Sequence, residues 1–176
     1  FMQGTVYGED GQPLPNAKVE VWHANSLGNY YFFDESQSHF NLRRCIITDE
    51  NGNYAFRSIV PLGYSVPPEG MTQKVLGALG RHGHRPAHIH FFASADGHRK
   101  LTTQINIDGD EYLWDDFAFA SREGLVPEVT MVEDADKLKE KALDKPYASI
   151  DFDFHLVKDI DQAIQGSEVE RRRAQG

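Results

Sequence analysis

The chain has 176 residues, 40% of them hydrophobic, enough for one folded domain with a real core. Its formal charge of −9, from 18 basic and 27 acidic residues, excludes a nucleic-acid binder, which needs a basic face. One cysteine, Cys45, excludes an intrachain disulfide, and no apolar run is long enough to span a membrane. With no secretory h-region in view, a reducing, cytoplasmic setting is the expectation.

Most short segments read as strands between turn signals. Gly4 to Tyr7 is the first, inside a strand-like stretch that begins at Phe1. A native start would rarely place Phe1-Met2 there, so the expectation is a truncated chain with upstream sequence missing. A polar turn rich in Gly and Pro follows, from Gly8 to Asn16. Ala17 to Ala24 alternates, with Val19, Val21 and His23 on one face and Lys18, Glu20 and Trp22 on the other. Arg44 to Asp49 and Tyr54 to Ile59 read as a hairpin, because Asn51-Gly52 is the favoured pair for a tight primed turn. Thr72 to Leu79 reads as a short helix capped by Thr72 and ended by Gly80. Pro86 to Ser94 and Leu101 to Ile107 are further strands. Asp134 to Leu143 reads as a charged surface helix. Ala148 to Leu156 alternates, with Ala148, Ile150, Phe152, Phe154 and Leu156 pointing one way. The tail, 167–176, has charge without apolar period and is expected on the surface. Together these features predict an all-β, antiparallel sandwich core with short helices, in a single domain spanning 1–176.

The strongest local feature is Arg85-Pro-Ala-His-Ile-His90. Residues two apart on a strand share a face, so His88 and His90 point together and can chelate one metal ion. They also fit two ordinary polar residues on an exposed strand. The apolar neighbours Ile89, Phe91 and Phe92 argue for a buried strand, where two imidazoles need partners. No carboxylate near the pair recommends itself, but two tyrosines do. Tyr30 sits in the aromatic run Tyr30-Tyr-Phe-Phe33, and Tyr64 in a Pro-held loop, Pro61 to Gly70. A free tyrosine has a pKa of about 10, and only a strongly charged cation would strip its proton at neutral pH. Each tyrosine alone also reads as core or edge packing. His23 reads as a satisfied core histidine. His82 and His84 read as surface residues or as partners behind the ligands, and His39, His98 and His155 carry no spacing signal.

Pro15-Asn-Ala-Lys-Val-Glu-Val-Trp-His-Ala-Asn25, Gly28-Asn-Tyr30, Phe40-Asn-Leu-Arg-Arg44, Gly63-Tyr64 and Gly80-Arg-His-Gly-His-Arg-Pro-Ala-His-Ile-His90 resemble the intradiol dioxygenases, catechol 1,2-dioxygenases in particular. So do Gly97-His-Arg-Lys-Leu-Thr-Thr-Gln-Ile-Asn106 and Tyr112-Leu-Trp-Asp-Asp-Phe-Ala118. The resemblance runs from Gly4 to about Val129. It implies a sandwich with long active-site loops and cleavage of catechol by O2 to cis,cis-muconate. It implies a non-haem Fe(III) held by the tyrosinates Tyr30 and Tyr64 and the imidazoles His88 and His90. By the same resemblance Tyr64 also takes a substrate proton, and Arg85 and Gln104 are active-site residues. Arg85, Phe117 and Ala118 would contact the substrate.

Two departures stand out. Family members begin with a helical segment that pairs subunits into homodimers and supplies part of the pocket wall, and the expectation is that this segment belongs to the missing upstream sequence. Ser65-Val66 also replaces a common Gly-Cys. Hydroxyquinol or chlorocatechol as substrate is an alternative with the same ligand set. A non-enzymatic sandwich binding module is an alternative of another class, and it has no use for two Tyr and two His meeting at one point.

Overall fold

The structure is a computed structural model and describes residues 1–159; the expected tail, 167–176, lies outside the described residues. In chain order the strands are β1 (Met2–Gly8), β2 (Lys18–His23), β3 (Arg43–Ile47), β4 (Asn53–Phe56), β5 (Tyr64–Ser65), β6 (His84–Arg85), β7 (His88–Ser94) and β8 (Leu101–Asn106). β9 (Thr130–Val132), β10 (Tyr147–Asp151) and β11 (Phe154–Leu156) complete the set, with helices α1 (Met71–Ala78) and α2 (Ala135–Glu140) between them. No helix among the described residues is long and apolar enough to cross a membrane.

Two sheets face each other. One is antiparallel, in the order β3-β2-β7-β8. The other centres on β1, which pairs antiparallel with β4 and parallel with β10 and β11, and β10 continues to β9. Their inner faces supply one core. Val19, Val21, Ile89, Phe91, Ala93 and Ile105 come from the first sheet, and Met2, Val6, Tyr54, Ile150, Phe154 and Leu156 from the second. The alternation expected along Ala17 to Ala24 is borne out, with Val19, Val21 and His23 buried. His23 is a satisfied core histidine: its ring nitrogens meet Ala24 O and Ser58 Oγ, each at 2.7 Å.

The expected hairpin is corrected. β3 pairs with β2 and β4 pairs with β1, so the Asp49–Asn53 turn carries the chain from one sheet to the other. Val6 N donates to Gly52 O at 2.9 Å, which ties the turn to β1. Gly52 alone takes a positive φ, 75°, whereas a primed turn requires positive φ at both central residues. The Asp49 carboxylate shapes the turn instead, accepting from Asn51 N and Asn53 N.

The last predicted strand is right in its inward face but is interrupted. Met2 pairs with Ile150 and Val6 with Phe154, one register on either side of a break at Phe152–Asp153. The break lies over Gly4, where a Cβ would stand 1.8 Å from Phe152 O, and Thr5 N is satisfied by Asp153 Oδ1 at 2.7 Å. α1 begins after Gly70 with no side-chain cap, not at Thr72. Its end follows expectation: Gly80 has φ 67°, Gly80 N donates to Gly77 O and Arg81 N to Leu76 O, a Schellman closure. α2 is shorter than expected, capped by Asp134 and left at Ala142, where φ is 52°.

Candidate metal centre

β7 alternates cleanly. Ile89, Phe91 and Ala93 enter the core, so His88 and His90 point to the outer face of their sheet. There they lie between Trp22 of β2 and Gln104 of β8, which are His90's two partners in register. Trp22 stacks on the His90 ring at 4.9 Å and 11°. His88 Nδ1 donates to Pro86 O at 2.6 Å, which fixes the tautomer and leaves Nε2 with its lone pair. His88 Nε2 and His90 Nε2 stand 3.1 Å apart. Burial lowers the pKa of both: His88 to about 4, with help from Arg85, and His90 to about 3, with help from His88 and Arg85. Both are therefore neutral at pH 7, the form that ligates a metal.

Two loops bring tyrosines to this pair. After β2 the Asn25 carboxamide accepts from Leu27 N and Asn29 N and wraps the chain toward Tyr30. Gly28 makes the close approach to the second loop. It has φ 79°, and a Cβ there would stand 2.6 Å from Gly63 O. Tyr64 is held by the short β5–β6 ladder, directly opposite Arg85. The four rings form a closed circuit, with centroid separations of 5.4 Å from Tyr64 to His88, 4.6 Å to His90, 6.4 Å to Tyr30 and 5.5 Å back to Tyr64.

Arg85 lies beside the circuit and is buried. Its Nη1 donates to His88 Nε2 at 3.1 Å and its Nη2 to Gln104 Oε1 at 2.8 Å. Nε and Nη2 grip Asp116 at 3.2 Å each. Burial pulls the guanidinium pKa down, but Asp116 and Tyr64 outweigh it and the net shift is upward. In Asp116 burial raises the carboxyl pKa, while Arg85 and the Ala118 and Ala120 amides bring it below the ordinary value. Gln104 Nε2 donates to the fully buried Asn106 at 3.1 Å.

A cleft of ≈ 1160 Å³ beside the two tyrosines is walled by Leu27, Phe33, Val66, Pro67 and Tyr112 among others. Its residues include Tyr30, Tyr64 and Arg85, but not His88, His90, Phe117 or Ala118. Phe117 is half-buried and hydrogen-bonds through its backbone to His84 and Arg81, and Ala118 is exposed on the same loop. His84 stacks on Tyr112 at 4.5 Å, and His82 pairs with the exposed Asp115 at 3.0 Å. Sequence reasoning missed Asp116 and Trp22. Asp116 carried a faint signal, a carboxylate set just before Phe117 in an aromatic stretch. Trp22 was visible only as one member of a strand's polar face.

Among the described residues no three His, Cys, Asp or Glu side chains converge on a metal position, so a centre at His88 and His90 would need donors of another type, such as the Tyr30 and Tyr64 hydroxyls. The donor set fits a hard, highly charged ion. The Tyr30 hydroxyl is buried with no hydrogen-bond partner, a costly state for a neutral phenol. Burial, reinforced by Tyr64, raises the Tyr30 pKa well above its ordinary value, so only a strong cation would make it a phenolate. The imidazole spacing suits two adjacent ligands of one ion at about 2.1 Å from each.

The dioxygenase family model matches residues 1–158. Catechol 1,2-dioxygenase 2 of Acinetobacter lwoffii is 73% identical over 132 residues, 75% of this chain and 48% of its own length. Catechol 1,2-dioxygenase of Acinetobacter baylyi is 54% identical over 175 residues, 98% of this chain and 56% of the relative. The crystal structure of wild-type catechol 1,2-dioxygenase from Acinetobacter radioresistens matches with a TM-score of 0.88 at 59% identity, over 91% of this chain and 52% of that one. A hydroxyquinol 1,2-dioxygenase of Rhizobium sp. and a chlorocatechol 1,2-dioxygenase of Rhodococcus opacus are more distant, at 37% and 39% identity. The chain spans about half the length of the curated relatives it matches.

Proposed function

The chain belongs to the intradiol dioxygenase family, and from that premise we propose that it carries the catalytic centre of a catechol 1,2-dioxygenase, with Tyr30, Tyr64, His88 and His90 holding one non-haem ferric ion. The observation that carries this reading is the closed circuit of those four rings beside a buried, unpartnered Tyr30 hydroxyl. Ferric iron held by those four residues would supply a Lewis acid to polarise the bound catechol.

The chain's own residues do the rest. Tyr64 lines the cleft, where as a metal-held phenolate it would be placed to accept one catechol proton. Arg85 is a fixed cation, already desolvated, and it stabilises the negative charge that develops on the ring and the incoming oxygen. Gln104 keeps the guanidinium in place through its 2.8 Å hydrogen bond. Phe33, Pro67 and Tyr112 give a planar substrate apolar walls and thin out the water around it. Catechol and O2 combine to cis,cis-muconate with both oxygen atoms retained, so no outside reductant is needed. The reading carries with it a cytoplasmic location and a homodimeric full-length protein. Lower identity to the hydroxyquinol and chlorocatechol enzymes favours unsubstituted catechol.

Oxygen uptake by the iron-loaded chain on a catechol panel tests the reading, with the products identified. One O2 consumed per catechol, with cis,cis-muconate formed, is the expected result. Ring opening outside the two hydroxylated carbons, or no uptake, would overturn it.

A further inference from the structure

Asp116 is the carboxylate that grips Arg85, and it is almost wholly buried. Four N–H groups converge on its two oxygens. Oδ1 accepts from Arg85 Nε at 3.2 Å and Ala118 N at 3.0 Å. Oδ2 accepts from Arg85 Nη2 at 3.2 Å and Ala120 N at 3.2 Å. An amide of the same shape has one oxygen, so either of its rotamers would turn an NH2 group against two donors. The site therefore calls for a carboxylate.

The grip has a direction. With Nε and Nη2 engaged on Asp116 and Nη2 shared with Gln104, Nη1 is left aimed at His88 Nε2, 3.1 Å away. The chain of bonds then runs on from Gln104 Nε2 to Asn106 Oδ1 at 3.1 Å and from Asn106 Nδ2 to Ser121 Oγ at 3.4 Å. Asp116 and Ser121 stand on one loop, so that loop anchors both ends of the line through Arg85, Gln104 and Asn106.

We propose that Asp116 is a positioning residue for ring cleavage, fixing the Arg85 guanidinium where it borders the cleft beside the ligand imidazole. The role rests on the dioxygenase reading of the cleft. A guanidinium freed from Asp116 keeps its charge but loses its aim, and misplacement by about 1 Å costs on the order of 100-fold in rate. Asp116 also folds its own turn through Ala118 and Ala120, so the test must separate aim from fold.

The experiment uses the full chain loaded with iron(III), with Asp116→Asn and Asp116→Glu made alone and on an Arg85→Gln background. Asp116→Asn is expected to lower kcat on catechol roughly 100-fold. KM, iron content and visible absorbance should stay within about twofold, because no proposed ligand is touched. Asp116→Glu should recover part of the loss. On the Arg85→Gln background Asp116→Asn should cost nothing further, since both changes remove the same aimed cation. In the metal-free chain the Arg85 Nε–H proton should exchange with water faster once Asp116 is an amide. An equal loss on both backgrounds, a kcat loss that tracks lost iron and a lowered Tm, or full turnover in Asp116→Asn overturns the positioning role. A parent chain that holds iron yet opens no catechol overturns the dioxygenase reading itself, and this role with it.

Discussion

Tyr30 shows how one side chain can be costly to the metal-free fold and valuable to the site. Its hydroxyl is buried without a partner, and such a group typically costs a folded protein about 1–3 kcal/mol. Tyr30→Phe should therefore leave the metal-free chain as stable or up to roughly 1 kcal/mol more stable, measured by urea unfolding, while weakening iron(III) binding. A clear loss of stability without metal would show that the hydroxyl has a structural partner after all. His90→Ala should behave differently. It removes a ring stacked on Trp22 as well as a donor, so it should lose iron retention by elemental analysis and also cost about 1–2 kcal/mol of stability. Undiminished iron content would remove His90 from the centre. The His88/His90 pair was legible because strand alternation is local and regular. The partnership of Arg85 with Asp116 was not, because 31 positions of chain separate them and no periodicity links a strand residue to a loop carboxylate.

At the scale of elements, the meeting of two loops decides whether the tyrosines converge. Gly28 and Gly63 touch where any side chain would collide, with a Cβ at Gly28 only 2.6 Å from Gly63 O. Gly28→Ala should cost roughly 2–3 kcal/mol, from left-handed strain plus the collision, and should weaken iron binding by moving the Tyr30 loop. Gly97→Ala is the control. It shares a positive φ, 72°, but has open space around it, so it should cost only about 1 kcal/mol and leave iron binding alone. Equal effects of the two on iron binding would mean that the Gly28–Gly63 contact does not position the site. The misread hairpin belongs to this scale too. Asn51-Gly52 did make a turn, but the choice of partners for β3 and β4 lies with β2 and β1, which local turn chemistry does not encode. The unbroken strand expected over Ala148 to Leu156 failed for a related reason: the break answers to Gly4, on a distant strand.

For the whole molecule, the sandwich was legible from many short alternating segments, because each strand buries one face whatever its neighbours are. The order of the strands and the parallel placement of β10 and β11 beside β1 were not, since they depend on contacts across almost the full described length. Acid should weaken this molecule as a whole. The His88 and His90 pKa values lie near 4 and 3, below the ordinary 6.5. As pH falls below 6.5 the unfolded chain binds these protons while the folded chain refuses them until about 4 and 3. Stability of the metal-free chain should thus be level above 6.5 with respect to these groups and fall from there toward pH 3. His88→Gln/His90→Gln should flatten that fall in urea titrations at successive pH values. An unchanged slope would place the acid sensitivity elsewhere.

The claim that two phenols and two imidazoles share one ferric ion is tested most directly by titrating the metal-free full chain with iron(III) while recording visible absorbance. One equivalent should bind and develop a tyrosinate charge-transfer colour, weaker in Tyr30→Phe and in Tyr64→Phe and gone when both are changed. Colour that survives the double change, or a parent chain that takes up no iron, would contradict the account.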